Sequence, residues 1–160
     1  MIICVYKTMK IAIAGDHRGF KLKNILTDFL KDKGYEVIDF GTHSDDPCDY
    51  PDYIYPACLA VREKKVDRAI VICYTGIGSC IAANKVRGAR AALVFNLKTA
   101  KLTRQHNDSN VLVLPAGFLK GDYLKKVILA WLKTGFEGGR HQRRLKKIAE
   151  IEERESIRMG

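Results

Sequence analysis

The chain has 160 residues, 47% of them hydrophobic and 29% charged, and a net charge of +10. That profile is of one soluble globular domain with a core of its own; it excludes a disordered chain, a collagen-like repeat and a disulfide-stapled miniprotein. The longest apolar runs, such as residues 69–74, are far too short to span a bilayer.

Residues 1–9 read as an N-terminal extension or the start of the first strand, without the basic start and apolar core of a secretory leader. Lys10–Gly15 (KIAIAG) is an apolar, β-prone run and predicts a buried strand. Leu22, Ile25, Leu26, Phe29 and Leu30 then recur at helical spacing, so a helix is expected over 20–33, stopped by Gly34. Residues 35–40 form the second strand, and 41–52, rich in Gly, Asp, Ser and Pro, a loop. A helix follows over 53–64, with Pro56 in its first turn, where a missing N–H costs little. Strands are expected at 68–73, 90–95 and 110–114, and helices at 79–85, 97–105 and 122–133. After Gly138-Gly139, residues 140–158 make a charged helix.

Strand and helix alternate five times. The expected fold is therefore α/β: a Rossmann-like three-layer sandwich with a five-stranded parallel sheet and a C-terminal helical tail. In such sheets ligands bind beyond the carboxyl ends of the strands. The chemistry should lie just after each strand.

After the first strand stand Gly15-Asp16-His17, an acid and an imidazole at a helix start. Asp16 is expected first as a cap of that helix. After the third strand stand Cys73-Tyr74-Thr75-Gly76-Ile77-Gly78-Ser79. Its glycines let backbone amides turn toward an anion, and Cys73 sits at its mouth, as a reactive thiol or as a core cysteine. It is neither a dinucleotide fingerprint nor a Walker loop, because Ile81 stands where a third glycine would fall and no Gly-Lys-Ser/Thr ending follows. Near the fourth helix come Arg104-Gln105-His106-Asn107-Asp108, where His106 can move protons near neutral pH. Arg140 and Arg144, four apart, share one helix face and form either a phosphate clamp or a solvated basic patch.

The five cysteines, Cys4, Cys48, Cys58, Cys73 and Cys80, are odd in number, irregularly spaced and without a CxxC pair. That favours a reduced, cytoplasmic setting over disulfides, and the spacing offers no metal cluster and no redox-cofactor motif. The positive charge fits an anionic ligand, and no zinc finger or aromatic RNA-binding signature accompanies it. A thiol, an imidazole, a hydroxyl, an anion loop and paired arginines fit proton transfer on a small phosphorylated metabolite better than hydrolysis or hydride transfer.

Six segments then match one family in order: Gly15-Asp16-His17, Asp49-Tyr50-Pro51, Cys73-x-Thr75-Gly76-x-Gly78, Ile81-Ala82-Ala83-Asn84-Lys85, Arg104-Gln105-His106-Asn107-Asp108 and Glu137-Gly138-Gly139-Arg140-His141. On these the chain resembles the ribose-5-phosphate isomerase type B family, which also includes the galactose-6-phosphate isomerase subunits. The resemblance spans residues 10–152. It implies a metal-free aldose–ketose isomerase with no cofactor. It makes Cys73 the base between carbons 1 and 2, Thr75 and the amides of Gly76, Gly78 and Ser79 the enediolate cradle, and His106 with Asp16 the ring-opening pair. His17, Arg140 and Arg144 would bind phosphate, with Arg104 a weaker candidate, and Tyr50 and Asn107 would line the pocket. Some relatives carry a Glu base where this chain has Ser79, which leaves Cys73 as the base here.

The resemblance also implies a homodimer or tetramer with sites shared between subunits. The body would be residues 10–139, and 140–160 a helix serving site and interface. Tyr74 replaces the usual Gly and Cys80 a common Ser, which opens the choice between a pentose and a hexose phosphate of the allose or galactose type. A thiol at 80 also raises disulfide formation with Cys73. A weakly active sugar-phosphate-binding protein on the same fold, and a nucleic-acid binder driven by charge, are the expectations of other classes.

Overall fold

The computed structural model describes residues 8–158. Cys4 and nearly all of the expected N-terminal extension lie outside the described residues. In chain order the elements are β1 (Lys10–Gly15), α1 (Phe20–Asp32), β2 (Glu36–Asp39), α2 (Tyr50–Arg62), β3 (Arg68–Cys73), α3 (Ile77–Ala83), β4 (Ala91–Leu93), α4 (Leu97–Asn107), β5 (Val111–Pro115), α5 (Gly121–Lys133) and α6 (Arg140–Arg158). The strands form one parallel sheet in the order β2-β1-β3-β5-β4.

Alternation along the strands divides the core in two. Ile11, Ile13, Ile70, Ile72, Leu112 and Leu114 point to one face, where α1 and α5 cover them with Leu26, Leu30, Leu124, Val127, Ile128 and Trp131. Ala12, Ala14, Ala69, Val71, Val111 and Val113 point to the other, against Ile54, Ala57, Cys58 and Val61 of α2. The small and β-branched residues on this second face let α2 lie close to the sheet. Each large side chain fully buried here contributes about 1.5–3 kcal/mol. Trp131, wholly buried, gives its indole N–H to Ser109 Oγ at 2.8 Å, so no polar atom of the ring is stranded. Among the described residues no helix is long and apolar enough to cross a membrane.

The boundaries depart from the sequence reading in four places. α2 begins at Tyr50, inside the expected loop, because Pro51 rather than Pro56 supplies the first-turn proline; Pro56 sits in the helix interior. α3 begins at Ile77, directly after Gly76 in the left-handed conformation (φ 78°). β4 is only three residues long, as befits an edge strand. α4 continues through His106 and Asn107 and ends at Asp108, itself left-handed (φ 44°). Its start is the expected kind: Asn96 Oδ1 accepts the N–H of Thr99 at 2.9 Å.

β1 neighbours β2 on one side and β3 on the other, so the chain reverses its direction of travel across the sheet between β1 and β3. The crevice beyond their carboxyl ends is where an open α/β sheet holds its ligand.

Candidate active site

Two loops meet at that crevice. After β1, the amide of Asp16 donates to Ile72 O at 3.3 Å, which ties the first loop to β3. Asp16 Oδ1 accepts the N–H of Gly19 at 3.0 Å and so closes the turn before α1; it is not the expected helix cap, because Gly19 itself is the N-cap and no side chain caps α1. Gly19 lies against β3 so closely that a Cβ there would stand 2.8 Å from Ile72 O. Position 19 therefore excludes any side chain. His17 projects beyond the turn, and its Nδ1 accepts the backbone N–H of Cys48 at 3.1 Å.

The second loop runs from β3 into α3. Cys73 is buried, and the Gly76 amide donates to its Sγ at 3.2 Å, fixing the sulfur at the strand's end. The left-handed turn at Gly76 makes this possible; a Cβ there would also stand 2.4 Å from Leu93 Cδ1. Thr75 Oγ1 accepts the N–H of Ile77 at 3.2 Å, which leaves its hydroxyl proton to donate elsewhere. Ser79, wholly buried, has no partner for its hydroxyl within the described residues. Buried hydroxyls are normally satisfied, so Ser79 is an exception among the buried polar side chains described. Tyr50, the first residue of α2, lays its ring over Gly78, where a Cβ would come within 2.6 Å of Tyr50 Cζ.

The fold thus brings Asp16, His17, Tyr50, Cys73, Thr75, Gly76, Gly78 and Ser79 to one end of the sheet. Tyr74 points along the same rim. Its half-exposed ring packs on Gly117, meets Phe118 at 5.9 Å between centroids and lies 4.9 Å beneath the Arg18 guanidinium. Cys80 directs its sulfur to Ala91 O at 3.6 Å, and all described cysteines are free thiols.

The other expected site residues form a separate group. His106 and Asn107 end α4; Arg140 and Arg144 are exposed on the first turns of α6. No hydrogen bond or ion pair joins this group to the Cys73 loop among the described residues. α6 also meets the body at Gly88, whose N–H donates to Glu152 Oε2 at 3.1 Å. Between the helix and the β4 edge runs a groove of about 490 Å³, lined by Leu145, Ile148 and Ile151 on one side and Ala91, Ala92 and Asn107 on the other.

Arg104 requires a correction. It is buried, and its guanidinium is spent on Ser109 O (2.6 Å), Thr134 O (3.3 Å) and Asp108 Oδ1 (2.8 Å). It is a structural residue that fastens the end of α4, not a phosphate ligand.

His141 and Glu137 were not singled out individually in the sequence. His141 is buried and its ring stacks on His106 with centroids 4.3 Å apart and planes 10° from parallel. Burial, then the positive charge of His106, Arg140 and Arg144, lowers the His141 pKa, against a smaller pull from Glu137. Successive left-handed glycines, Gly138 (φ 69°) and Gly139 (φ 56°), turn the chain so that Glu137 and His141 face His106 together. The linear spacing shows no metal cluster; folding nevertheless gathers three donor residues here.

Residues 11–148 match the family model described as Ribose/Galactose Isomerase. The ribose-5-phosphate isomerase B of Escherichia coli (strain K12) is 46% identical over 145 residues, covering 91% of this chain and 97% of that protein. A solved structure of the Clostridium thermocellum ribose-5-phosphate isomerase B superposes with a TM-score of 0.90 at 49% identity, over 91% of this chain and 99% of that one. The Mycoplasma genitalium ribose-5-phosphate isomerase B, solved with bound ribulose-5-phosphate, gives a TM-score of 0.87 at 45% identity, over 91% and 97%.

Proposed function

The chain belongs to the ribose/galactose isomerase family, and on that footing we propose that it interconverts ribose 5-phosphate and ribulose 5-phosphate through an enediolate. The carrying observation is the loop in which the Gly76 amide meets Cys73 Sγ while Ser79, buried a few residues on, keeps an unanswered hydroxyl. A proton beside a carbonyl is weakly acidic, so a base must be held in place and the developing oxyanion met by donors. Cys73 is the base that carries the proton between carbons 2 and 1. The hydroxyl of Thr75 and the amides of Gly76, Gly78 and Ser79 hold the enediolate.

The furanose must open first: the proton on the anomeric oxygen leaves and the ring oxygen receives one. His106, assisted by Asp16, carries that exchange. His17 donates to the phosphate, joined by Arg140 and Arg144, while Tyr50 and Asn107 line the sugar. Because His106, Arg140 and Arg144 stand apart from Cys73 within one chain, they complete the site of a neighbouring copy. The exposed Ile77 and Ile81 of α3 and the groove beneath α6 support such an assembly, a homodimer or a tetramer of dimers. In this arrangement residues 10–139 carry the chemistry and residues 140–160 reach across. Free thiols throughout the described residues support a cytoplasmic setting.

A second reading, isomerisation of a hexose 6-phosphate, is favoured by Tyr74, which puts an aromatic ring and Arg18 on the rim of the loop. A panel of pentose and hexose phosphates assayed for aldose–ketose conversion decides between them. Conversion of none would overturn the catalytic reading itself.

A further inference from the structure

We propose that Lys23 and Asp39 are positioning residues for the phosphate subsite: their ion pair aims a carboxylate oxygen at the segment that sets where His17 stands. The inference rests on the isomerase reading above. Lys23 lies in the first turn of α1 and is wholly buried, although it takes no part in the proton transfers. A lysine is almost never buried so fully without a partner. Its ammonium bonds Asp39 Oδ2, at the end of β2, and Asn24 Oδ1 at 3.2 Å, and it stands 5.8 Å from the centroid of the Phe20 ring.

With Oδ2 held by Lys23, the other oxygen of Asp39, Oδ1, accepts the N–H of Gly41 at 2.8 Å. Gly41 begins a strap that reaches the site. Its carbonyl accepts the N–H of Gly15 at 2.7 Å, and the amide of Thr42 donates to Gly15 O, also at 2.7 Å. Gly15 is thereby gripped on both its polar atoms, two residues before His17. The strap runs on to Cys48, whose N–H holds Nδ1 of the same His17. One carboxylate thus stands behind both attachments of His17, the backbone before it and the hydrogen bond on its ring. Gly41 itself cannot carry a side chain: it is left-handed (φ 100°), and a Cβ there would stand 2.6 Å from Tyr53 Cδ1. The strap therefore takes its anchor from position 39.

Taking two charges out of water costs about what their attraction returns, so a buried pair is a poor source of stability. What this pair supplies is direction. Without Lys23 the carboxylate, on a side chain 30% exposed, can turn to water and release Gly41.

The test separates an aimed acceptor from a buried charge, using full-length protein checked for folding by circular dichroism. Asp39→Asn leaves a single acceptor oxygen for which Lys23 and Gly41 compete; adding Lys23→Met frees that oxygen for Gly41. Lys23→Met with Asp39→Leu removes the charges and the acceptor together, an exchange that buried pairs often tolerate. In Lys23→Met/Asp39→Leu, KM for ribose 5-phosphate should rise about tenfold with kcat within about threefold, and in Lys23→Met/Asp39→Asn KM should return to within about twofold of wild type. Asp39→Asn alone should be impaired, so that the second substitution rescues the first. Proton–nitrogen correlation spectra of the imidazoles, with His17 assigned by its loss in His17→Gln, should show one fixed tautomer in the wild type and in Lys23→Met/Asp39→Asn, and a mixture in Lys23→Met/Asp39→Leu. Wild-type KM and a fixed tautomer in the leucine variant would overturn the proposal, as would equal impairment of the two double variants. If the leucine variant does not fold, the rescue of Asp39→Asn by Lys23→Met decides alone, and its absence overturns the proposal. If the wild type does not turn over ribose 5-phosphate, the isomerase reading falls and the His17 spectra still decide the positioning.

Discussion

Nδ1 of His17 is held by the backbone N–H of Cys48 at 3.1 Å, so the neutral ring carries its proton on Nε2. That tautomer offers a donor to an anion without requiring a charged imidazole. Replacing His17 by Ala should raise KM for the sugar phosphate about ten- to hundredfold, the scale of a hydrogen bond to a charged group. The turnover number should change less. An unchanged KM would remove His17 from the phosphate subsite.

Cys73→Ala should cut turnover by at least about a hundredfold, the usual weight of a lost acid–base group. Substrate should still bind, since the phosphate contacts lie on other residues. Cys80→Ser is the matched control and should stay active, because its sulfur faces Ala91 O. Steady-state kinetics on both variants checks this; near-normal turnover without Cys73 would move the base elsewhere.

Tyr74→Gly removes a ring that packs on Phe118 beneath Arg18 at the rim of the loop. The ratio of kcat/KM for pentose over hexose phosphates should shift. Parallel movement for all sugars would show that the ring only packs.

Mixing two inactive variants tests the shared site. Cys73→Ala lacks the base, and Arg140→Ala combined with Arg144→Ala lacks the clamp. After subunit exchange a heterodimer contains one intact site and activity should partly return. Verified exchange with no recovery would place each site within a single chain.

Burial pushes the Cys58 thiol up to about 12. An unfolded thiol titrates near 8.5. Between about pH 8.5 and 12 the unfolded chain has released a proton that the folded chain keeps, so stability falls as pH rises, by about 1.4 kcal/mol per unit. Cys58→Ala lacks this slope. Urea unfolding of both proteins at several alkaline pH values should show the wild type losing ground to the variant. A constant difference would contradict a thiol held neutral by the fold.

The sheet and its main helices were legible because their signals are local. Ile70 and Ile72 alternate with Ala69 and Val71, and the Leu26–Leu30 stripe has helical spacing. The start of α2 was less so, since Pro51 and Pro56 both suit a first turn and only packing of Ile54 and Ala57 against the sheet chooses between them. In the site, the Cys73 loop could be read from its glycines. The His106–His141 stack could not, because it depends on the path of α5 between them. The fate of Arg104 was equally hidden: nothing in a basic side chain's neighbours announces that three acceptors will close around it.

The contact between Tyr74 and Gly117 makes the history of this loop directional. A Cβ at 117 would stand 2.7 Å from Tyr74 Cε2. While the tyrosine keeps this rotamer, every larger residue at 117 is penalised; once the tyrosine is gone, that clash goes with it. Substitutions that are harmless in one order are therefore damaging in the other. A lineage carrying this tyrosine keeps glycine 43 positions downstream as a condition of its own earlier step, and swapping this segment between relatives should succeed only when both positions travel together.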